Sequence, residues 1–199
     1  ALEAGLAAIV AGHETVLVGG VDTYLDLKLL VALDAERRLL GPGVKDGFVP
    51  GEGAAFLSLT RVRPRSVSAP TVIRAVGTAQ DPGHRYSEQP ALGAGLSAAL
   101  DDARSKHGPL PAVRTCFAGL NGESFGSKEW GVASMRHHKL FDPALAFEHP
   151  ADGFGDAGAA TGTGSTAAHT NGGTGQQFAL ASPAIASQTG AAGGAGAGG

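Results

Sequence analysis

Asp46-Gly-Phe-Val-Pro-Gly-Glu-Gly-Ala-Ala-Phe-Leu-Ser-Leu59 decides how this chain is read. Gly47, Gly51 and Gly53 surround Pro50, so its first half is a turn needing close backbone approaches and one fixed φ. Residues 54–59 follow as a short run of small and apolar residues, the pattern of a strand buried under helices. Glu52 is an acid among glycines at the mouth of that strand. It is expected to be satisfied by backbone N–H groups rather than to act in catalysis.

Working outward, Leu2, Leu6, Ile9 and Val10 fall at helical spacing before Gly12. Residues 15–18 read as a buried strand ended by Gly19-Gly20, with Asp22 in a turn or cap beyond it. Residues 25–40 read as one helix, with Arg37 and Arg38 near its end, where cations favour the helix dipole. Downstream, 72–76 is a strand and 77–90 a polar loop in which His84 is exposed. Residues 91–106 form an amphipathic helix with Leu92, Leu96 and Leu100 on one stripe. A strand at 113–118 carries Cys116, read as a buried inert thiol because no helix N-terminus or cation partner is evident. A helix at 128–140, a strand at 144–147, a small-residue helix from 153 toward 168 and a strand at 176–181 complete the pattern. Strands alternating with helices predict an α/β fold.

The turn and strand at 46–59 resemble the glycine-rich segment that ends the first half of β-ketoacyl synthases, the condensing enzymes of the thiolase-like group. The upstream order is similar too: a helix, a strand, Gly-Gly-x-Asp (here Gly19 to Asp22), a second helix and the turn. This resemblance covers residues 1 to about 181. It implies a thiolase-like layered fold of two pseudo-symmetric strand-helix halves, N-terminally truncated. Residues 1–60 would end the first half, 61–71 would link, and 72–181 would form the second half. Residues 182–199, nearly all Gly and Ala beyond Ser187, are expected to be disordered. In the family the nucleophilic cysteine opens the first helix, which puts its expected position just before residue 1. The loop at 77–90 would border the substrate entrance.

Condensation needs a thiolate to carry the acyl group and two imidazoles to favour loss of CO₂ and hold the enolate. In the family those imidazoles stand in His-Gly-Thr-Gly-Thr and Gly-His-x-x-Gly-Ala-Ala-Gly. By resemblance, Asn121 in Asn121-Gly-Glu-Ser124 and Asp156 in Gly155-Asp-Ala-Gly-Ala-Ala-Thr-Gly162 occupy the two places. An amide exchanges no proton at neutral pH, and an ionised Asp156 would repel an enolate oxyanion. Asp156 instead suits a helix N-cap. His149, near the second position, is a candidate substitute. Leu120 to Glu123, Glu129-Trp-Gly131 and His149 to Asp152 accompany the substitutions, as in a divergent branch of such enzymes.

The resemblance therefore implies a divergent relative of the acyl-transferring enzymes of fatty acid or polyketide synthesis, not competent to condense. It also implies an acyl carrier protein or coenzyme A thioester as partner, and a homodimer or a heterodimer with another synthase. A non-catalytic accessory subunit is an alternative. A second is a serine hydrolase through Gly122-Glu-Ser-Phe-Gly126, with Asp156 and His169 following in hydrolase order. That strand ends early for a sharp elbow, and no oxyanion-hole motif precedes it. Gly162-Thr-Gly-Ser-Thr-Ala167 follows no strand and is not read as a dinucleotide site.

Bulk properties narrow the class. The 199 residues carry a net charge of −3 with 17% charged residues, a balance that suggests neither a nucleic-acid nor an anionic-membrane partner. One cysteine excludes an internal disulfide framework and fits a cytoplasmic location. No run is long and apolar enough to span a membrane, no histidine pair has zinc spacing, and no cofactor is expected.

Overall fold

The computed structural model describes residues 1–61, 71–107, 112–158 and 160, together with the backbone of 175–182. The expected linker, all but its ends, and the Gly/Ala tail lie outside them, as do most of the small-residue helix and His169.

Gly5 sets how the chain begins to pack. Helix α1 (Leu2–Val10) lies on the antiparallel ladder of β1 (Thr15–Thr23) and β2 (Glu52–Thr60). A Cβ on Gly5 would collide with the Val18 side chain and come within 2.9 Å of Leu59 Cδ1. Leu2, Ile9, Val18 and Leu59 close a core there with Val76. The ladder corrects two expectations. Gly19-Gly20 does not end β1, which pairs continuously from Thr15↔Thr60 to Thr23↔Glu52, so Asp22 belongs to the strand. Gly19 is tolerated because the Phe56 ring across the ladder fills the space its side chain would need. Nor is β2 sealed under helices: α1 covers one face, while Phe56 is 55% exposed on the other, near Leu17 and Val21. Glu52 is exposed and accepts from the Thr23 hydroxyl at 3.3 Å, and from no backbone N–H among the described residues.

Helix α2 (Leu27–Ala35) is shorter than its periodicity suggested. Asp26 caps it, its Oδ1 accepting from Lys28 N at 3.0 Å and Leu29 N at 3.1 Å. Arg37, with φ +56°, turns the chain out of the helix. Arg37 and Arg38 therefore stand beyond the last turn, not on its dipole.

In the second half, β3 (Val72–Gln80) pairs antiparallel with β6 (Gly175–Ser182), and α3 (Ala94–His107) lies across both. Gly77 permits that approach, since a Cβ there would strike Ala99 O and come within 2.6 Å of Ala103 N. β4 (Val113–Phe117) and β5 (Phe141–Glu148) are parallel. Between them runs α4 (Ser124–Arg136), with a 3₁₀ turn at His138–Leu140, the crossover that parallel strands require. Ala75, Leu96, Ala99, Leu100, Ala103, Ala133 and Leu140 form the core, with Trp130 and Phe141 against it. α4 starts at Ser124, four residues before the expected boundary, and α3 starts only after Gly93, at φ +60°. A single turn, α5 (Ala151–Phe154), is closed by Gly155 at φ +80°; of the small-residue helix expected beyond it, only Ala160 among the described residues is helical, and most of the rest lies outside them. No helix among the described residues is long and apolar enough to cross a membrane.

Candidate functional site

The stretch at 46–53 threads between the two loops that carry Asn121 and Asp156. On one side, Phe48 N donates to Arg38 O at 2.9 Å and Leu40 N to Phe48 O at 2.9 Å. Gly47 passes so close that a Cβ would lie 2.7 Å from Arg38 O. Asp46 reaches the start of α4, taking Ser124 N at 2.6 Å on Oδ1 and the Ser124 hydroxyl at 2.7 Å on Oδ2. These two bonds hold the Asp46 carboxyl below its ordinary range, the backbone bond leading. On the other side, Gly51 N donates to Asp156 O and Asp156 N to Val49 O, each at 2.8 Å. A Cβ on Gly51 would meet Phe154 O at 2.8 Å, so glycine is needed for this lacing. Fully buried Phe48 sits beneath, edge-on to Tyr24 at 5.1 Å and 5.4 Å under the Arg38 guanidinium.

Asn121 and Asp156 converge. Gly122, at φ +101°, turns the chain after β4, and Asn121 Nδ2 donates to Asp156 Oδ2 at 2.8 Å and to Glu123 Oε2 at 3.3 Å. Asn121 Oδ1 accepts from Glu123 N at 3.1 Å. Asp156 Oδ1 accepts from Gly158 N at 2.9 Å, as a capping carboxylate would. Asp22 lies next to it, for a Cβ on Gly158 would run into the Asp22 carboxylate.

Glu123 is the charged centre and only 3% exposed. Arg38 grips it bidentately, Nε to Oε1 and Nη2 to Oε2, both at 2.9 Å. Arg85 Nη2 reaches Oε1 at 2.8 Å, and its guanidinium lies 5.1 Å over Phe125. Arg38 Nη1 donates to the Tyr86 hydroxyl, which donates to Glu36, at 2.9 and 3.0 Å. The hydrogen bond to Glu123 raises the Arg38 pKa further, so this cation is permanent. Burial pushes the Tyr24 hydroxyl well above its ordinary range, with the Asp156 charge adding. Permanent charges and an amide bind and orient, but they relay no proton at neutral pH.

His149 packs among aromatic rings. It is half-buried, with its ring centred 4.6 Å from that of Phe147 and tilted 59° to it, and Phe147 in turn meets Trp130 at 5.0 Å. Ser124 is the first residue of α4, seven positions past the end of β4, and pairs with Asp46. A nucleophile elbow instead places its serine directly on the strand-to-helix turn, with a histidine in reach. Cys116 is buried in β4, and burial pushes its thiol up to about 12, as expected of an inert core cysteine. Among the described residues, no group of three or more His, Cys, Asp or Glu side chains could hold a metal. Arg38, Arg85 and Tyr86 were missed. In sequence Arg38 stands at a helix terminus and Arg85 in a polar loop; only the fold shows that each lies against Glu123.

Comparison with solved structures gives TM-scores of 0.67, 0.67 and 0.66 for three complexes or enzymes of one kind. The fold is the ketosynthase fold. The first is a type II polyketide-synthase acyl-carrier protein in complex with its ketosynthase bound to the hexaketide, at 17% identity. The second is the ketosynthase from module 6 of the bacillaene synthase of Bacillus subtilis 168, at 21%. The third is the ketosynthase ApeO in complex with its chain length factor ApeC, from Xenorhabdus doucetiae, at 22%. Each match covers 81% of this chain but only 44%, 32% and 40% of the other, so the chain spans less than half the length of these ketosynthase structures. No protein-family model matches the chain, and no curated protein does.

Proposed function

We propose that this chain is part of a ketosynthase-like protein that keeps the condensing fold without its proton-handling chemistry and serves as an accessory partner of an acyl-transferring synthase. The observation that carries this reading is the 2.8 Å hydrogen bond from Asn121 Nδ2 to Asp156 Oδ2. The two positions that resemble those of the family's histidines are tied to each other, and Asn121 is tied again to the Arg38–Glu123–Arg85 cluster. A donor and an acceptor that satisfy one another leave no imidazole to assist decarboxylation and no free donor for an enolate. Residues 1–60 and 72–181 would form the two halves of the pseudo-symmetric fold.

The partner class follows from the company this fold keeps. One neighbour is solved with an acyl-carrier protein and another with a chain length factor. A ketosynthase or a carrier protein is accordingly the proposed partner here, in the cytoplasm, with polyketide or fatty acid synthesis as the setting. The protein carrying this chain, incubated with acyl- and malonyl-carrier protein, should form no ketoacyl product and should co-purify with a synthase from the same cells. A ketoacyl product that Asn121→Ala abolishes would overturn the reading.

The hydrolase alternative has less to support it, because the Ser124 hydroxyl donates to Asp46 rather than to a histidine. It predicts activated-ester hydrolysis that Ser124→Ala removes.

A further inference from the structure

A pair of carboxyl groups outside this site lies between the 81–93 loop and α4. Asp81 ends the strand side of the loop and Glu129 sits in the second turn of α4; they are 4% and 1% exposed. Their side chains hydrogen-bond to each other. Carboxylates only accept, so the bond requires one of the two to hold a proton, and like charges so close in the interior would otherwise repel.

Both ends of the loop bear on this pair. Asp81 Oδ1 takes Gly83 N at 2.9 Å, and Gly95 must be glycine because a Cβ there would lie 2.5 Å from the Asp81 Cβ. At the other end, Gly93 turns against the backbone of Glu129, where a Cβ would lie 2.7 Å from Glu129 O. The middle of the loop delivers Arg85 to Glu123 and Tyr86 to Arg38 and Glu36. We propose that the proton shared by Asp81 and Glu129 is a latch that fastens the 81–93 loop to α4, so that its loss releases the loop and withdraws Arg85 and Tyr86 from the Glu123 cluster. This holds whether or not the protein condenses.

Burial, followed by the Asp81 hydrogen bond and the Asp81 charge, pushes the Glu129 carboxyl up to about 8 from an ordinary 4.5. The other charged groups on the surrounding elements are paired elsewhere or exposed. On α3, Asp101 faces His137 and Arg104, and Asp102 holds Lys106 and Thr78 N. On α4, Arg136 reaches Leu92 O and Ser97 Oγ, and Lys128 is exposed. Arg74 on β3 is exposed as well. The closed loop holds a proton that the open one releases, so closure is strongest below pH 4.5, weakens as pH rises to about 8, and is level above.

Amide hydrogen exchange of 82–93 between pH 6 and 9, corrected for intrinsic exchange, tests this. In the wild type the opening constant should rise about tenfold per pH unit to near pH 8 and then level. Glu129→Gln, whose amide donates at every pH, should be flat. Should that variant not fold, the infrared band of a protonated carboxyl in the wild type, present at pH 7 and lost above pH 8, supplies the readout. A wild-type loop indifferent to pH, the same slope in Glu129→Gln, or absence of that band at pH 7 would overturn the latch. So would exchange of 94–107 rising in parallel, which would mean global unfolding.

Discussion

Glu123→Gln tests the charged centre while keeping its shape. The wild-type carboxylate, 3% exposed, takes two bonds at 2.9 Å from an Arg38 side chain that is 13% exposed. Removing one partner of a buried pair costs about 3–5 kcal/mol, because the other charge stays behind uncompensated. Arg85 is 30% exposed, so its bond contributes on the scale of a surface pair, about 0–1 kcal/mol. The Arg38 pair should dominate, and a loss of about 3–5 kcal/mol lowers Tm by roughly 6–20 °C for a chain of this size. Urea unfolding reads it as a lower midpoint at unchanged slope. Arg38→Met with Glu123→Leu should recover much of the loss, since a shape-matched apolar pair removes both desolvated charges. A loss under about 1 kcal/mol would show the pair to be solvated and would refute this account of the cluster.

Other consequences are as specific. Gly51→Ala puts a methyl against Phe154 O and Asp156 O, which are backbone atoms that cannot swing away; a loss of about 1–3 kcal/mol is expected, with faster exchange of the Gly51 amide. Asp46→Ala removes the side chain that caps α4 and should cost about 1 kcal/mol at pH 7. Because the Asp46 pKa is lowered on folding, its contribution is present above the ordinary value of 3.8 and is lost as pH falls below it. Urea midpoints of wild type and Asp46→Ala should therefore converge only in acid, as pH falls below 3.8 and through the lowered Asp46 pKa. Cys116, its thiol pushed up to about 12, should resist thiol reagents at pH 8 in the native protein and react fully in urea.

Much of the fold was legible because its signals are local. The spacing of Leu2, Leu6 and Ile9, the apolar run at 54–59 and the glycines at 47, 51 and 53 each report a backbone requirement carried by neighbouring residues. Asn121 and Asp156 were found by resemblance, and the fold brings them within hydrogen-bond distance. What escaped was set by tertiary context. Phe56 filling the gap at Gly19 lets β1 run on where two glycines suggested a stop. Asp46, 78 positions away, caps α4 and moves its start to Ser124. Arg38 pairs with a residue 85 positions on, and no periodicity encodes that. Nor does position in the sequence show that the His149 ring packs on Phe147.

The most direct measurement is a mass-spectrometric search for ketoacyl-carrier protein and free CO₂ release when the purified protein meets acyl- and malonyl-carrier protein. With Asn121 and Asp156 bound to each other, the account predicts neither product. Ketoacyl product or malonyl decarboxylation in the wild type that disappears in Asn121→Ala would contradict it.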